Sequence, residues 1–291
     1  MKKKICIIVN GYPTKDDPIY AFIQPIAREM VDSGISCTVI APQSVSKLAI
    51  AKKAKRPYRW IDKTEKGNEV VIYQPKYVSV SNVSILGYSI SAILRDVSIK
   101  RCFFKEKMSP DVLYAHFWDC GIAACKLAKK INTPVFVATG ESKIRVKIYY
   151  PLKSIDRYLP YVTGVIAVST KNLEESRNMG LLKHCPKTIV LPNAVNPKEF
   201  YHISKKKARE VLGFNQNELI AIFVGSFCHR KGVIRAVKAI ETLENVKLIL
   251  IGSGEQIPES DRIIFSGKVP HSEIVMYLNA ADVFVLPTLS E

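Results

Sequence analysis

Near-continuous apolar runs of strand length constrain this chain more than any other feature. Lys4 to Val9, Leu219 to Val224 and Val246 to Ile251 run through Ile, Val, Leu, Phe and Ala instead of alternating with polar residues. A strand written this way is covered on both faces, as in a parallel sheet lying between helices. The residues after the first run agree. Asn10-Gly11-Tyr12-Pro13 ends it as a turn, and Ala21 to Asp32 carries Phe22, Ile26 and Met30 at helical spacing. Gly34 stops that helix and a second strand runs from Cys37 to Ile40. The chain therefore opens as a β-loop-α-β crossover.

The same alternation continues. Strands are predicted at Val70 to Tyr73, Val112 to Ala115, Pro134 to Ala138, Val165 to Val168 and Ile189 to Leu191. Ser89 to Met108 fits a long helix with Ile93, Leu94, Val97, Phe104 and Met108 near one face and most of its cations elsewhere. Gly121 to Lys130 is an alanine-rich helix. Between Ser46 and Lys66 the chain reads as basic and irregular. Asn193 to Asn217, polar and rich in lysine, reads as a crossover to a second domain. The pattern then restarts: strand Leu219 to Val224, helix Gly232 to Leu243, strands Val246 to Ile251 and Ile263 to Phe265, helix Ser272 to Asn279, and strand Val283 to Leu286. The architecture is βαβ, twice.

Composition bounds the function. With 47% apolar and 24% charged residues the chain is a folded, soluble type. Its net charge of +17 points to an anionic partner: nucleic acid, a membrane surface or a phosphorylated substrate. The cysteines number seven with no C-x-x-C pair, which reads as reduced thiols, and no Cys/His group has metal spacing. The apolar run after Met1-Lys2-Lys3-Lys4 is short for a signal peptide and reads as the first strand. No run approaches the ~18 apolar residues of a membrane span.

Open parallel sheets hold ligands at the C-terminal ends of their strands. In the first half the polar residues so placed are Asn10, Gly11, His116, Asp119, Thr139, Glu141 and Ser169. In the second they are Ser226, Arg230, Lys231, Gly252, Gly254 and Glu291. Phe223 to Gly232 combines a strand end, a phosphate-sized loop with two cations, and a helix start, where backbone N–H groups attract anions. Taken alone, it fits an ordinary βα turn with two solvated cations equally well.

Several pieces in order resemble family 4 glycosyltransferases. They are Phe223-Val224-Gly225-Ser226-x4-Lys231-Gly232, Ile251-Gly252-Ser253-Gly254, Phe265-x-Gly267-x-Val269 and Ala281-Asp282-Val283-Phe284-Val285-Leu286-Pro287-x3-Glu291. Val190-Leu191-Pro192-Asn193-Ala194-Val195-Asn196 is similar to that family's domain crossover, and Asp111 to His116 fits its N-terminal half. The resemblance implies an α/β GT-B fold: two Rossmann-like doubly wound domains, residues 1–190 on the acceptor side and residues 191–291 as a partial donor-binding domain, facing across a cleft. It implies transfer of a hexose-type sugar from a nucleotide-sugar donor, with retention and without a metal or other cofactor. Gly11, Gly225, Ser226, Arg230, Lys231, Gly252, Gly254 and Glu291 are the implied donor-binding residues. Lys231 would neutralise the diphosphate, and Ser226 stands where the family often has arginine, a charge Arg230 could restore. Glu291, the first glutamate of a Glu-x7-Glu motif, would hold the donor sugar. Lys231, Glu291 and His116 are the implied catalytic set. His116 and Glu141 lie on the acceptor side, with Thr139 where many members have histidine. For His116 a supporting structural role is an equal alternative. Against a family member of typical size the sequence reads as truncated after Glu291, by on the order of 80–100 residues.

The basic stretches Ser46 to Lys66 and Ser89 to Lys107 interleave cations with Tyr58, Trp60, Phe103 and Phe104. That mixture suits an anionic membrane interface. No nucleic-acid module is recognisable. The expected protein is thus a cytoplasmic transferase, peripheral on the membrane, with a glycan or lipid-linked acceptor in surface polysaccharide or glycolipid assembly. The competing readings are an inactive binding protein of the same fold and a sugar-nucleotide epimerase.

Overall fold

The computed structural model describes residues 2–14, 17, 19–80, 83–185 and 187–289, in two compact units, Met1–Asn193 and Ala194–Glu291. The first unit begins β1 (Lys4–Ile8), α1 (Ile23–Asp32), β2 (Ser36–Ile40), β3 (Gln43–Ser44), α2 (Val45–Ile50), β4 (Arg59–Lys63), β5 (Glu69–Tyr73) and β6 (Lys76–Tyr77). A two-residue hairpin, β7 (Ser84–Ile85) and β8 (Tyr88–Ser89), leads into α3 (Ile90–Lys105), which Ser89 caps by accepting from Ala92 N. Then come β9 (Val112–His116), α4 (Trp118–Ile131), β10 (Val135–Thr139), α5 (Val146–Tyr149), α6 (Leu152–Tyr158), β11 (Val162–Ala167), α7 (Thr170–Asn178) and β12 (Thr188–Val190).

Eight of these strands form one sheet, ordered β12-β11-β10-β9-β1-β2-β5-β4, with β4 antiparallel to β5 at one edge and the other pairings parallel. The unbroken apolar runs are explained by the two covered faces. Cys6 and Ile8 of β1 pack into a core with α3, α4 and α6; Ile7 and Val9 pack into a second core with α1. Each large aliphatic side chain so buried contributes about 1.5–3 kcal/mol.

Three stretches depart from the sequence reading. Ser46 to Lys66 is not irregular: it holds α2 and β4. Its aromatics turn inward. Trp60 packs edge-on against Tyr12 and donates to Gln74 Oε1 at 2.8 Å, and the Tyr58 hydroxyl donates to Glu106 at 2.9 Å. Helix α3 is rotated from expectation. Ile93, Leu94, Val97 and Phe104 are exposed, while Ala92, Arg95, Asp96, Ile99, Cys102 and Phe103 are buried. Two charged residues can lie on the buried face because they pair there. Arg95 forms an ion pair with Asp119 and donates to Asp96 Oδ1 at 3.1 Å and Tyr150 Oη at 2.7 Å, and Lys126 Nζ reaches Asp96 at 2.7 Å.

The third stretch is the polar crossover, which folds as α8 (Lys205–Leu212), capped by Ser204 and ended by Gly213 at φ 72°. Arg209 on this helix is buried. It donates to Ala280 O at 2.8 Å and Gln216 O at 2.8 Å and pairs with Asp282 at 2.7 Å. The second unit continues with β13 (Leu219–Val224), α9 (Val233–Glu241), β14 (Val246–Ile251), β15 (Ile263–Gly267), α10 (Ile274–Ala280) and β16 (Val283–Phe284). The four strands form a parallel sheet ordered β15-β14-β13-β16. Ala221, Phe223, Leu248 and Leu250 face α9; Ile220, Ile222, Ile249 and Ile251 face α10.

Candidate functional site

In the second unit the turn between β13 and α9 is built from glycines that let backbone meet backbone. Gly225 N donates to Ile251 O at 2.9 Å, and Phe227 N to Ser253 O at 2.9 Å, so the ends of β13 and β14 stay paired beyond the sheet. A Cβ on Gly252 (φ 147°) would collide with Gly225 O, and one on Gly254 with Phe227 O. Only glycine allows this approach. It brings Gly225, Ser226, Gly252 and Gly254 together at the strand ends, with Ser226 and Gly254 exposed.

The turn closes at Gly232, which caps α9 in the left-handed region (φ 81°) and donates to Cys228 O at 3.1 Å. The first-turn N–H groups of α9 lack intrahelical acceptors and carry the positive end of its dipole. Arg230 is exposed and Lys231 half-buried in the same turn. Arg235, which sequence reasoning missed, fixes its shape. Its guanidinium donates to Pro287 O at 2.8 Å and His229 O at 2.9 Å, tying the turn to the segment after β16, while Leu289 N donates to Arg230 O at 3.0 Å. A cation in the first turn opposes the helix dipole, which was the available hint of a specific role. Among the described residues the surface combines backbone donors with two cations, a combination that suits an anion such as a diphosphate. Glu291 lies outside the described residues.

In the first unit Gly11 follows β1, and a Cβ there would strike the Tyr20 ring. Next to it Asn10 donates to Asp119 Oδ2 at 3.0 Å and accepts from Arg95 at 2.9 Å. His116, at the end of β9, is buried among Phe22 and Phe117, whose ring centroids lie 4.7 and 4.8 Å away, with the Tyr114 hydroxyl 3.4 Å from Nδ1. Burial pulls its pKa down to about 4, so the imidazole is neutral at pH 7. Glu141, beyond the neighbouring strand β10, is held on both oxygens. It accepts from Trp118 N at 2.9 Å, and from Thr139 Oγ1 at 2.6 Å and Gly140 N at 3.0 Å. The carboxylate thus meets the start of α4, and burial raises its pKa despite those donors. Among the described residues no group of three or more His, Cys, Asp or Glu has metal-binding geometry.

Residues 204–291 match the family model described as glycosyl transferases group 1. Over 306 residues the chain is 26% identical to the putative teichuronic acid biosynthesis glycosyltransferase TuaC of Bacillus subtilis, covering 99% of this chain and 76% of that one. Its structure is similar to sucrose-phosphate synthase from Thermosynechococcus elongatus, with a TM-score of 0.71 at 17% identity over 99% of this chain and 76% of that one. It is also similar to Anabaena HepE in complex with UDP, with a TM-score of 0.60 at 14% identity over 98% and 74% of the two chains; another structure of HepE contains UDP-glucose.

Proposed function

Since this chain is a glycosyltransferase of GT-B fold, we propose that it moves a hexose-type sugar from a nucleotide-sugar donor, with retention at the anomeric carbon, to a glycan or lipid-linked acceptor in the assembly of a surface polysaccharide or glycolipid. The observation that carries this reading is the glycine-built turn from Gly225 to Gly232 at the start of α9. A nucleoside diphosphate gains negative charge as it leaves. Preset donors stabilise that charge without having to reorganise. Lys231, Arg230 and the N–H groups of α9 do so here, and the reaction proceeds without a metal. The UDP held by HepE and the teichuronic acid biosynthesis named for TuaC favour the same donor and product classes.

The acceptor is met at the cytoplasmic face of the membrane. No described helix is long and apolar enough to cross it. An exposed apolar tip beside basic residues supports this reading. Ile85 and Leu86, at the tip of the β7–β8 hairpin, are 59% and 89% exposed. Gly87 approaches Pro151, next to the exposed Ile148 and Leu152. Lys143, Arg145, Lys147 and Lys153 are exposed in the same stretch as Ile148 and Leu152, with no acidic residue between 142 and 155. Each such cation adds about 1 kcal/mol near anionic lipid.

A thermal-shift panel of UDP-, GDP- and ADP-sugars, followed by product analysis, tests the reaction. One base class raises the melting temperature and yields transfer. A flat panel contradicts the proposal. Epimerised donor without transfer would identify an epimerase, and binding without turnover a binding protein.

A further inference from the structure

The first unit contains a cavity of about 290 Å³ that none of the donor chemistry above uses. Residues following β1 and β2 line it, together with the first turn of α3 and residues from α5 and the α1 approach. Its volume is at the low end for ligand pockets, suited to a single sugar ring. Tyr20, Tyr77 and Tyr149 converge on it. None of their hydroxyls hydrogen-bonds to a described residue, and the only buried side-chain polar atom lacking a partner among the described residues is Thr288 Oγ1. The three hydroxyls therefore keep access to solvent, on residues that line the cavity. Burial raises all three phenol pKa values, Tyr20 to about 12, so they remain neutral hydroxyls able both to donate and to accept.

Of the charged residues that line the cavity, all but one are paired. Arg56 pairs with Asp17 at 2.7 Å, and Arg95 pairs with Asp119 on the floor. Lys47 is left over. It is exposed, and its ammonium has no ion pair or hydrogen bond to a described residue. Its position is fixed from behind. Ser44 caps α2 by accepting from Lys47 N at 3.2 Å and is itself 2.7 Å from Ser79 Oγ. The wall beside it is equally tied, since Gln43 Nε2 donates to Arg56 O at 2.8 Å and Gln74 O at 3.0 Å. An apolar ligand would cover three hydroxyls and a cation without replacing their hydrogen bonds to water, at a cost for each. A polyhydroxylated ligand with one negative charge would satisfy them all.

We propose that this cavity binds a saccharide bearing one acidic group, phosphate or carboxylate. Lys47 meets the anion, and Tyr20, Tyr77 and Tyr149 meet ring hydroxyls. The inference rests on the transferase reading, because transfer requires a second saccharide, and it assigns that acceptor an acidic class.

Calorimetric titration of the 291-residue chain with glucose 1-phosphate, glucuronic acid, methyl glucoside and inorganic phosphate tests it. At least one acidic sugar binds about ten-fold more tightly than methyl glucoside, as one charge-assisted bond would give, and more tightly than phosphate alone. Whichever acid binds better distinguishes phosphate from carboxylate. Lys47→Gln removes the preference for the acidic sugar, Tyr77→Phe weakens the acidic and neutral sugars together, and Lys100→Gln, an exposed charge loss on α3, changes neither. Equal binding of acidic and neutral sugars, or the same loss in Lys47→Gln and Lys100→Gln, overturns the proposal. UDP, GDP and ADP titrated separately keep the two readings apart. Binding of UDP, GDP or ADP without acid preference rejects this inference alone, and absence of binding by all three rejects the donor reading.

Discussion

Replacing Gly232 with alanine would load the turn at its tightest point. The residue sits at φ 81°, and a new Cβ would run into Pro287 O and the Arg235 guanidinium. A left-handed alanine costs roughly 1 kcal/mol. Displacing two packed groups adds about 1–3 kcal/mol. Gly213 in the same unit supplies the control: it sits at φ 72°, and nothing lies within 4 Å of a Cβ built there. Gly213→Ala therefore carries the backbone term alone, a melting shift of about 2–4 °C for a chain of this size. Gly232→Ala loses about two to four times as much. Pushing Arg235 aside also releases His229 O and Pro287 O, so the turn loses its shape where the diphosphate is proposed to bind. Differential scanning fluorimetry with and without UDP reads both effects, since bound ligand raises stability by RT ln(1 + [L]/Kd). Gly213→Ala keeps the UDP-induced shift and Gly232→Ala loses most of it. Equal destabilisation in the two variants, or a full UDP shift in Gly232→Ala, would refute the reasoning.

Lys231→Ala weakens UDP binding roughly ten- to hundred-fold, the worth of a charge-assisted contact, read by calorimetry; unchanged affinity removes the lysine from the site. His116 gives a pH signature. Its folded pKa is pulled down from 6.5 to about 4, so below pH 6.5 the unfolded chain takes up a proton that the folded chain refuses. Stability falls as pH drops through that window, by up to about 3 kcal/mol from this group, and urea titrations of His116→Gln at pH 7 and 5 show a correspondingly smaller loss. Leu86→Asn suits the left-handed turn of the β7–β8 hairpin (φ 51°) while removing its apolar tip. It lowers cosedimentation with phosphatidylglycerol vesicles and leaves UDP binding intact; equal cosedimentation with neutral vesicles rules out an anionic docking patch. Arg235→Lys keeps the charge but loses the planar fork, so UDP affinity falls while the chain stays folded.

The sequence showed most clearly what is local. Leu219 to Val224 and Val246 to Ile251 became β13 and β14 with the same bounds, because a continuous apolar run specifies a strand covered on both faces. The strand-end turns came from the same logic, while the close approach of Gly252 to Gly225 O and of Gly254 to Phe227 O was visible only in the structure. The errors came from charges whose partners are distant. Arg95 lies on the buried face of α3 because Asp119 and Tyr150, 24 and 55 residues away, receive it. Nothing near Arg95 signals this, so the aliphatic residues around it read as the inward face. Arg209 is similar: Asp282 and Ala280 O lie 73 and 71 residues on, and the lysines around it make the segment read as linker. Trp60 and Tyr58 read as interfacial because cations flank them, yet β4 turns them toward Gln74 and Glu106.

The glycine amides give the most direct test of the central claim, that the turn from Gly225 to Gly232 receives the diphosphate of a nucleotide-sugar donor. In a nitrogen-15 NMR titration with UDP, GDP and ADP, one nucleotide shifts the amides of Gly225, Gly232, Gly252 and Gly254 saturably. Gly34, Gly67 and Gly213 stay in place. If these four resonances do not move with any of the three nucleotides, or move no more than the control glycines, the account is contradicted.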